Sequence, residues 1–150
     1  MLTSTPSPTK TPRHVADNPR PRGILDTSVV IELEELESSQ LPIEVAVTAI
    51  TMAELAAGPH ATSDPDERAR RQDRLQRAEA AFDPLPFDGE AARAYGRICS
   101  AVVAAGRKAR GARTVDLLIA AIASSHEMPL YTRNADDFRS IQDLVKIVAV

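Results

Sequence analysis

The sequence predicts an α/β fold, a mostly parallel sheet of five strands covered by helices. Short apolar runs alternate with stretches of helical periodicity, which is how strand–helix–strand units read. The apolar residues are mostly Ala, Val, Leu and Ile, so the core is expected to be aliphatic and its helices tightly packed. The 150 residues, 43% of them hydrophobic, suit one domain with a sizeable core.

Residues 1–22 hold five of the eleven prolines, many Ser and Thr, and no apolar periodicity, so they are expected to form a disordered Pro-rich tail. The domain is expected to span residues 23–150. Residues 23–26 (GILD) form the first candidate strand, followed by a helix near 28–37. Residues 45–50 form the second and lead into a helix over 52–57 that stops at Gly58 and Pro59. A charged helix is expected over 64–82, where Leu75, Ala78 and Phe82 recur at helical spacing. A short strand at 85–87 precedes a helix over 89–105, and 115–125 reads as a helix buried on most sides. Residues 130–132 and 146–150 supply the last strands, around a short helix near 135–141.

Composition removes several function classes. Cys99 is the single cysteine, which excludes an intrachain disulfide or a thiolate cage and points to a reducing, cytoplasmic setting. No apolar run approaches the roughly 20 residues of a membrane helix, so no membrane association is expected. With 3% aromatics and no Trp, base-stacking platforms are not expected. The formal charge of −3 divides into +3 for residues 1–22 and −6 for the remainder. An acidic body binds nucleic acid only through local arginines or bridging cations.

Ligands of an open parallel sheet bind beyond the carboxyl ends of its strands. Four acidic positions fall there: Asp26 after the first strand, Glu54 after the second, Asp116 at the start of the buried helix, and Asp136 or Asp137 after the strand at 130–132. Each has a plainer explanation in helix capping, with Thr51, Thr114 and Asn134 as candidate caps. Asp26 is the exception, because Thr27 or Ser28 is available to cap the helix that follows it. Converging carboxylates repel one another and rise in pKa unless a cation joins them. Oxygen-only ligands select Mg2+, or Mn2+, over zinc. His14, His60 and His126 form no ligand pattern and read as surface residues.

Four segments in order, Leu25-Asp26-Thr27-Ser28, Thr51-Met52-Ala53-Glu54-Leu55 with Gly58, the run from Asp116 to Ala123, and Thr132-Arg133-Asn134 with Asp137-Phe138, resemble those of PIN-domain nucleases, specifically the VapC-like toxins. The resemblance covers residues 23–150. It implies a three-layer α/β/α fold with an acidic pocket at the carboxyl edge of the sheet. Asp26 and Asp116 would bind metal most directly, and Glu54 would complete the pocket. Asn134, Asp136 or Asp137 would fill the fourth position, with Asp137 favoured because it directly precedes Phe138. The implied activity is Mg2+-dependent hydrolysis of RNA phosphodiester bonds by a toxin. The implied partners are a second copy in a homodimer and a VapB-like antitoxin that masks the acidic pocket.

In that mechanism Glu54 or the fourth acid orients the attacking water, and Thr27 or Ser28 either holds a further water or only caps a helix. Arg107, Lys108, Arg110 and Arg113 crowd the loop before Asp116, and with Arg133 they are the expected phosphate contacts. Arg68, Arg70, Arg71, Arg74 and Arg77 share a helix with many acids and read as a solvated face. The principal rival reading is an inactive PIN-like interaction module. A small-molecule phosphatase lacks its pair of aspartates spaced two apart, and a dinucleotide oxidoreductase lacks a Gly-rich turn after the first strand.

Overall fold

The computed structural model describes residues 21–150, so the expected tail lies outside the described residues except for Pro21 and Arg22. Arg22 belongs to the first strand, one residue earlier than the sequence suggested. Four strands pair in parallel in the order β2-β1-β3-β4: β1 is Arg22–Leu25, β2 Glu44–Ala46, β3 Leu130–Thr132 and β4 Ile147–Ala149. The helices are α1 (Thr27–Ile31), α2 (Ala49–Ala57), α3 (Pro65–Ala81), α4 (Gly89–Ala104) and α5 (Arg113–Ser125).

The fifth strand expected at 85–87 is only an isolated parallel bridge between Thr48 and Leu85. Leu85 donates its N–H to Val47 and accepts from Ala49, but Pro84 and Pro86 on either side have no N–H to extend the ladder. The first helix also falls short, ending at Ile31 and giving way to 3-10 turns over Leu33–Glu35 and Ser38–Gln40. Glu32, Glu34, Glu35 and Glu37 would otherwise stack negative charge on the negative end of the helix dipole.

Strand alternation produces the three layers. Ile24 and Leu130 join α4 and α5 in one apolar cluster with Ile98, Ile119 and Ile122. Their strand neighbours Leu25 and Tyr131 face the other way, packing with Val29 of α1, Leu55 of α2 and Ala78 of α3. Gly23 is required by a close approach, since a Cβ there would lie 2.4 Å from the Tyr131 ring.

The chain runs from β1 outward to β2, then returns to place β3 on the opposite side of β1. The carboxyl ends of β1 and β3 therefore flank the switch point, where parallel α/β sheets open a crevice.

Candidate metal centre

Asp26 follows β1 immediately and is 3% exposed. Its backbone N–H donates to Tyr131 of β3 at 2.9 Å, fixing the carboxylate at the switch point. It is itself the N-cap of α1, its Oδ1 accepting the Thr27 N–H at 2.9 Å, so neither Thr27 nor Ser28 takes the role the sequence suggested for them. Both hydroxyls serve carboxylates instead. Ser28 Oγ donates to Asp26 Oδ2 at 3.0 Å, and Thr27 Oγ1 donates to Glu54 Oε1 at 2.6 Å.

Glu54 sits in the second turn of α2, because the helix is capped three residues before the expected cap, Thr51. Thr48, in extended conformation two residues beyond β2, accepts the Thr51 N–H at 3.1 Å and caps α2. Thr51 is fully buried inside the helix, its hydroxyl 3.0 Å from Thr27 and 3.4 Å from Thr48. Glu54 and Asp26 are thus held by adjacent residues of α1.

Asp116 lies in the first turn of α5, whose N-cap position is Ala112. Thr114 is already helical and donates to the Ala109 carbonyl at 3.4 Å. Burial pushes the Asp116 carboxyl up to about 6, and the negative charges of Asp26, Glu54 and Asp137 push in the same direction, against a smaller opposing pull from Arg113. Carboxylates from three other parts of the chain therefore act on Asp116. Asp137 is exposed, within the 3-10 helix Ala135–Ile141. Asp136 is exposed too and faces Arg139 at 3.6 Å. Asn134 occupies the N-cap position of that turn without a side-chain capping bond.

Among the described residues, no three Asp, Glu, His or Cys side chains stand close enough to grip one ion as placed. A small hard cation needs less, since magnesium keeps several waters and is bound through one or two carboxylates. The donor chemistry fits such an ion: every candidate offers oxygen rather than nitrogen or sulfur, and burial together with neighbouring negative charge disfavours the ionised form of Asp116.

The basic loop lies between α4 and α5, turning at Gly106 (φ 74°) and Gly111 (φ 79°), the left-handed conformation that favours glycine. Arg107 reaches the Asp136 carbonyl at 3.5 Å, bringing the loop to the fourth-position segment, while Lys108 and Arg110 are exposed. Arg133 is otherwise engaged, its Nε 2.7 Å from Glu32. The arginines of α3 bond mostly locally, Arg70 and Arg71 to Glu67 and Arg77 to Asp73 and Glu34. An apolar groove of about 350 Å³ between α1 and α3 includes none of the four carboxylates.

Thr132 lies in one of the four motif segments, yet the sequence alone suggests no role for it. Its Oγ1 donates to Asp26 Oδ2 at 2.8 Å. The available signal was its place at the end of a strand, in register with the end of β1.

The PIN domain family model matches residues 24–144. Ribonuclease VapC5 of Mycobacterium tuberculosis is 37% identical over 128 residues, which are 83% of this chain and 91% of that protein. Ribonuclease VapC1 of Rickettsia felis is 30% identical over 125 residues, 81% of this chain and 91% of the relative. Among solved structures, VapBC-5 from Mycobacterium tuberculosis, described as a member of the VapBC family of toxin-antitoxin systems, superposes with a TM-score of 0.77. It is 37% identical and is matched over 87% of this chain and 99% of its own.

Proposed function

The chain belongs to the PIN domain family, and from that premise we propose that it is a magnesium-dependent endoribonuclease, the toxin of a toxin-antitoxin pair acting in the cytoplasm. The nuclease domain begins with β1. The observation that carries the reading is the partly buried Asp116 carboxyl, on which burial and the charges of Asp26, Glu54 and Asp137 act in the same direction. Like charges brought together around a partly buried carboxyl cost stability unless a cation compensates them.

Asp26 and Asp116 would hold the ion, with Glu54 and Asp137 completing the acidic rim. The cation, when bound, supplies electrostatic stabilisation of the phosphodiester transition state and activation of water. Glu54 would orient the attacking water: one of its oxygens takes the Thr27 hydroxyl at 2.6 Å, which fixes the orientation of the carboxylate. Arg107, Lys108, Arg110 and Arg113 hold the RNA backbone beside the rim through its phosphates, without reading sequence. Arg133, paired with Glu32, reaches substrate only by leaving that partner. An open rim beside a basic loop suits a polymer strand better than a small enclosed phosphate ester. The antitoxin, like the VapB of related systems, would mask the rim, and two copies of the chain would form a dimer.

The test is RNA cleavage and thermal unfolding with purified protein in Mg2+ and in EDTA. Cleavage that requires Mg2+, a melting temperature that rises with Mg2+, and loss of both in a folded Asp26→Asn variant are expected. Asp26 does cap α1, so the rival reading of an inactive module has one observation in its favour. It predicts no cleavage and no magnesium-dependent stabilisation.

A further inference from the structure

Asp26 is held by an arrangement that extends past the four acids. Its Oδ2 accepts two hydroxyl hydrogens, from Ser28 at 3.0 Å and from Thr132 at 2.8 Å. Each of those hydroxyls in turn accepts a backbone N–H from the segment after β3: Arg133 N donates to Ser28 Oγ at 3.2 Å, and Asn134 N donates to Thr132 Oγ1 at 3.0 Å. An ionised carboxylate only accepts hydrogen bonds, so the proton of each hydroxyl must point at Asp26 and its lone pairs at the amides.

Ser28 is partly exposed, whereas Thr132 is wholly buried and Asp26 almost so. The Thr132 bond is the shorter of the two and lies in the drier environment, where a charge-assisted bond is strongest. It also joins parts of the chain that nothing local connects, the end of β1 and the segment leading to Asp137. With Oδ2 occupied twice, Oδ1 accepts, among the described residues, only the Thr27 N–H and keeps a lone pair for a cation.

We propose that Thr132 is a positioning residue of the metal centre: its hydroxyl turns Asp26 so that Oδ1 faces the cation, and ties that carboxylate to the segment carrying Asp137. This rests on the metal-dependent nuclease reading above. Partners that orient a metal ligand are worth about 10- to 100-fold in metal affinity or activity.

The experiment compares wild type, Thr132→Val, Thr132→Ser and Asp26→Asn, with Mg2+ and Mn2+ affinity measured by calorimetry and RNA cleavage resolved into kcat and KM. Thr132→Val keeps the shape and removes the hydroxyl. It is expected to weaken metal binding by at least about 10-fold and to lower kcat with KM for RNA nearly unchanged, while Thr132→Ser recovers both to within about 3-fold. Thr132→Val with wild-type metal affinity and kcat would overturn the proposal. So would a Thr132→Ser variant as impaired as Thr132→Val, which would assign the effect to packing of the methyl group. Failure of the underlying reading has a different signature: wild type then binds no metal, or Asp26→Asn cleaves RNA as wild type does, and the proposal falls with it.

Discussion

Replacing Asp116 by Asn should stabilise the metal-free protein while disabling the site. Raising a carboxyl from 3.8 to about 6 disfavours its ionised form by about 3 kcal/mol at 1.36 kcal/mol per pH unit. Asp116 is only partly buried, and solvent screening reduces this to about 1.5 kcal/mol. The folded state binds the proton more tightly than the unfolded chain does. The contribution of Asp116 is therefore most favourable below pH 3.8 and is lost as pH rises through about 6. Asn carries no charge at any pH and escapes that loss. In EDTA at pH 7.5 the variant should melt about 5 °C above wild type, the shift that about 1.5 kcal/mol produces in a domain of this size. The gap should shrink as pH falls from 7 towards 4. Saturating Mg2+ should narrow it from the other side by stabilising only wild type. Differential scanning fluorimetry over pH 4 to 8, with EDTA and with Mg2+, reads all three. An Asp116→Asn variant less stable than wild type in EDTA at pH 7.5, or an advantage independent of pH, would refute the claim that burial and the neighbouring carboxylates disfavour the charge on Asp116.

The remaining predictions concern substrate and fold. Removing charge from the loop by Arg107→Ala, Lys108→Ala and Arg110→Ala together should raise KM for RNA with kcat little changed, and should flatten the dependence of KM on salt. Steady-state cleavage at several salt concentrations checks it. Gly23→Ala should destabilise the domain by about 1–3 kcal/mol, because its Cβ would press on Tyr131 at 2.4 Å. Urea unfolding measures that directly. Thr48→Ala should cost about 1 kcal/mol by uncapping α2, again by urea unfolding.

The acids were legible because of where they fall in the pattern. Asp26 ends an apolar run, Asp116 opens a long buried helix, and a parallel sheet brings such positions to one edge. The hydroxyls were not legible. Thr51 fits the spacing of a capping box with Glu54, but Thr48, three residues earlier, takes the cap and leaves Thr51 buried beside Thr27. Thr132 looks like any strand residue until β3 is known to lie against β1. The strand count failed for a local reason that can be read afterwards: Pro84 and Pro86 leave Leu85 as the only donor between them. Arg133 looked free beside the site because its partner Glu32 is far away in sequence, and only the fold joins them.

The most direct measurement is the anomalous scattering of crystals soaked in Mn2+, with Asp26→Asn crystals treated identically. The account predicts one strong peak at the carboxyl edge of the sheet, at about the 2.1 Å a small hard cation keeps from oxygen, shared by Asp26 Oδ1 and Asp116 and absent from the variant. Crystals that diffract well and show no peak there, or the same peak in the Asp26→Asn variant, would contradict it.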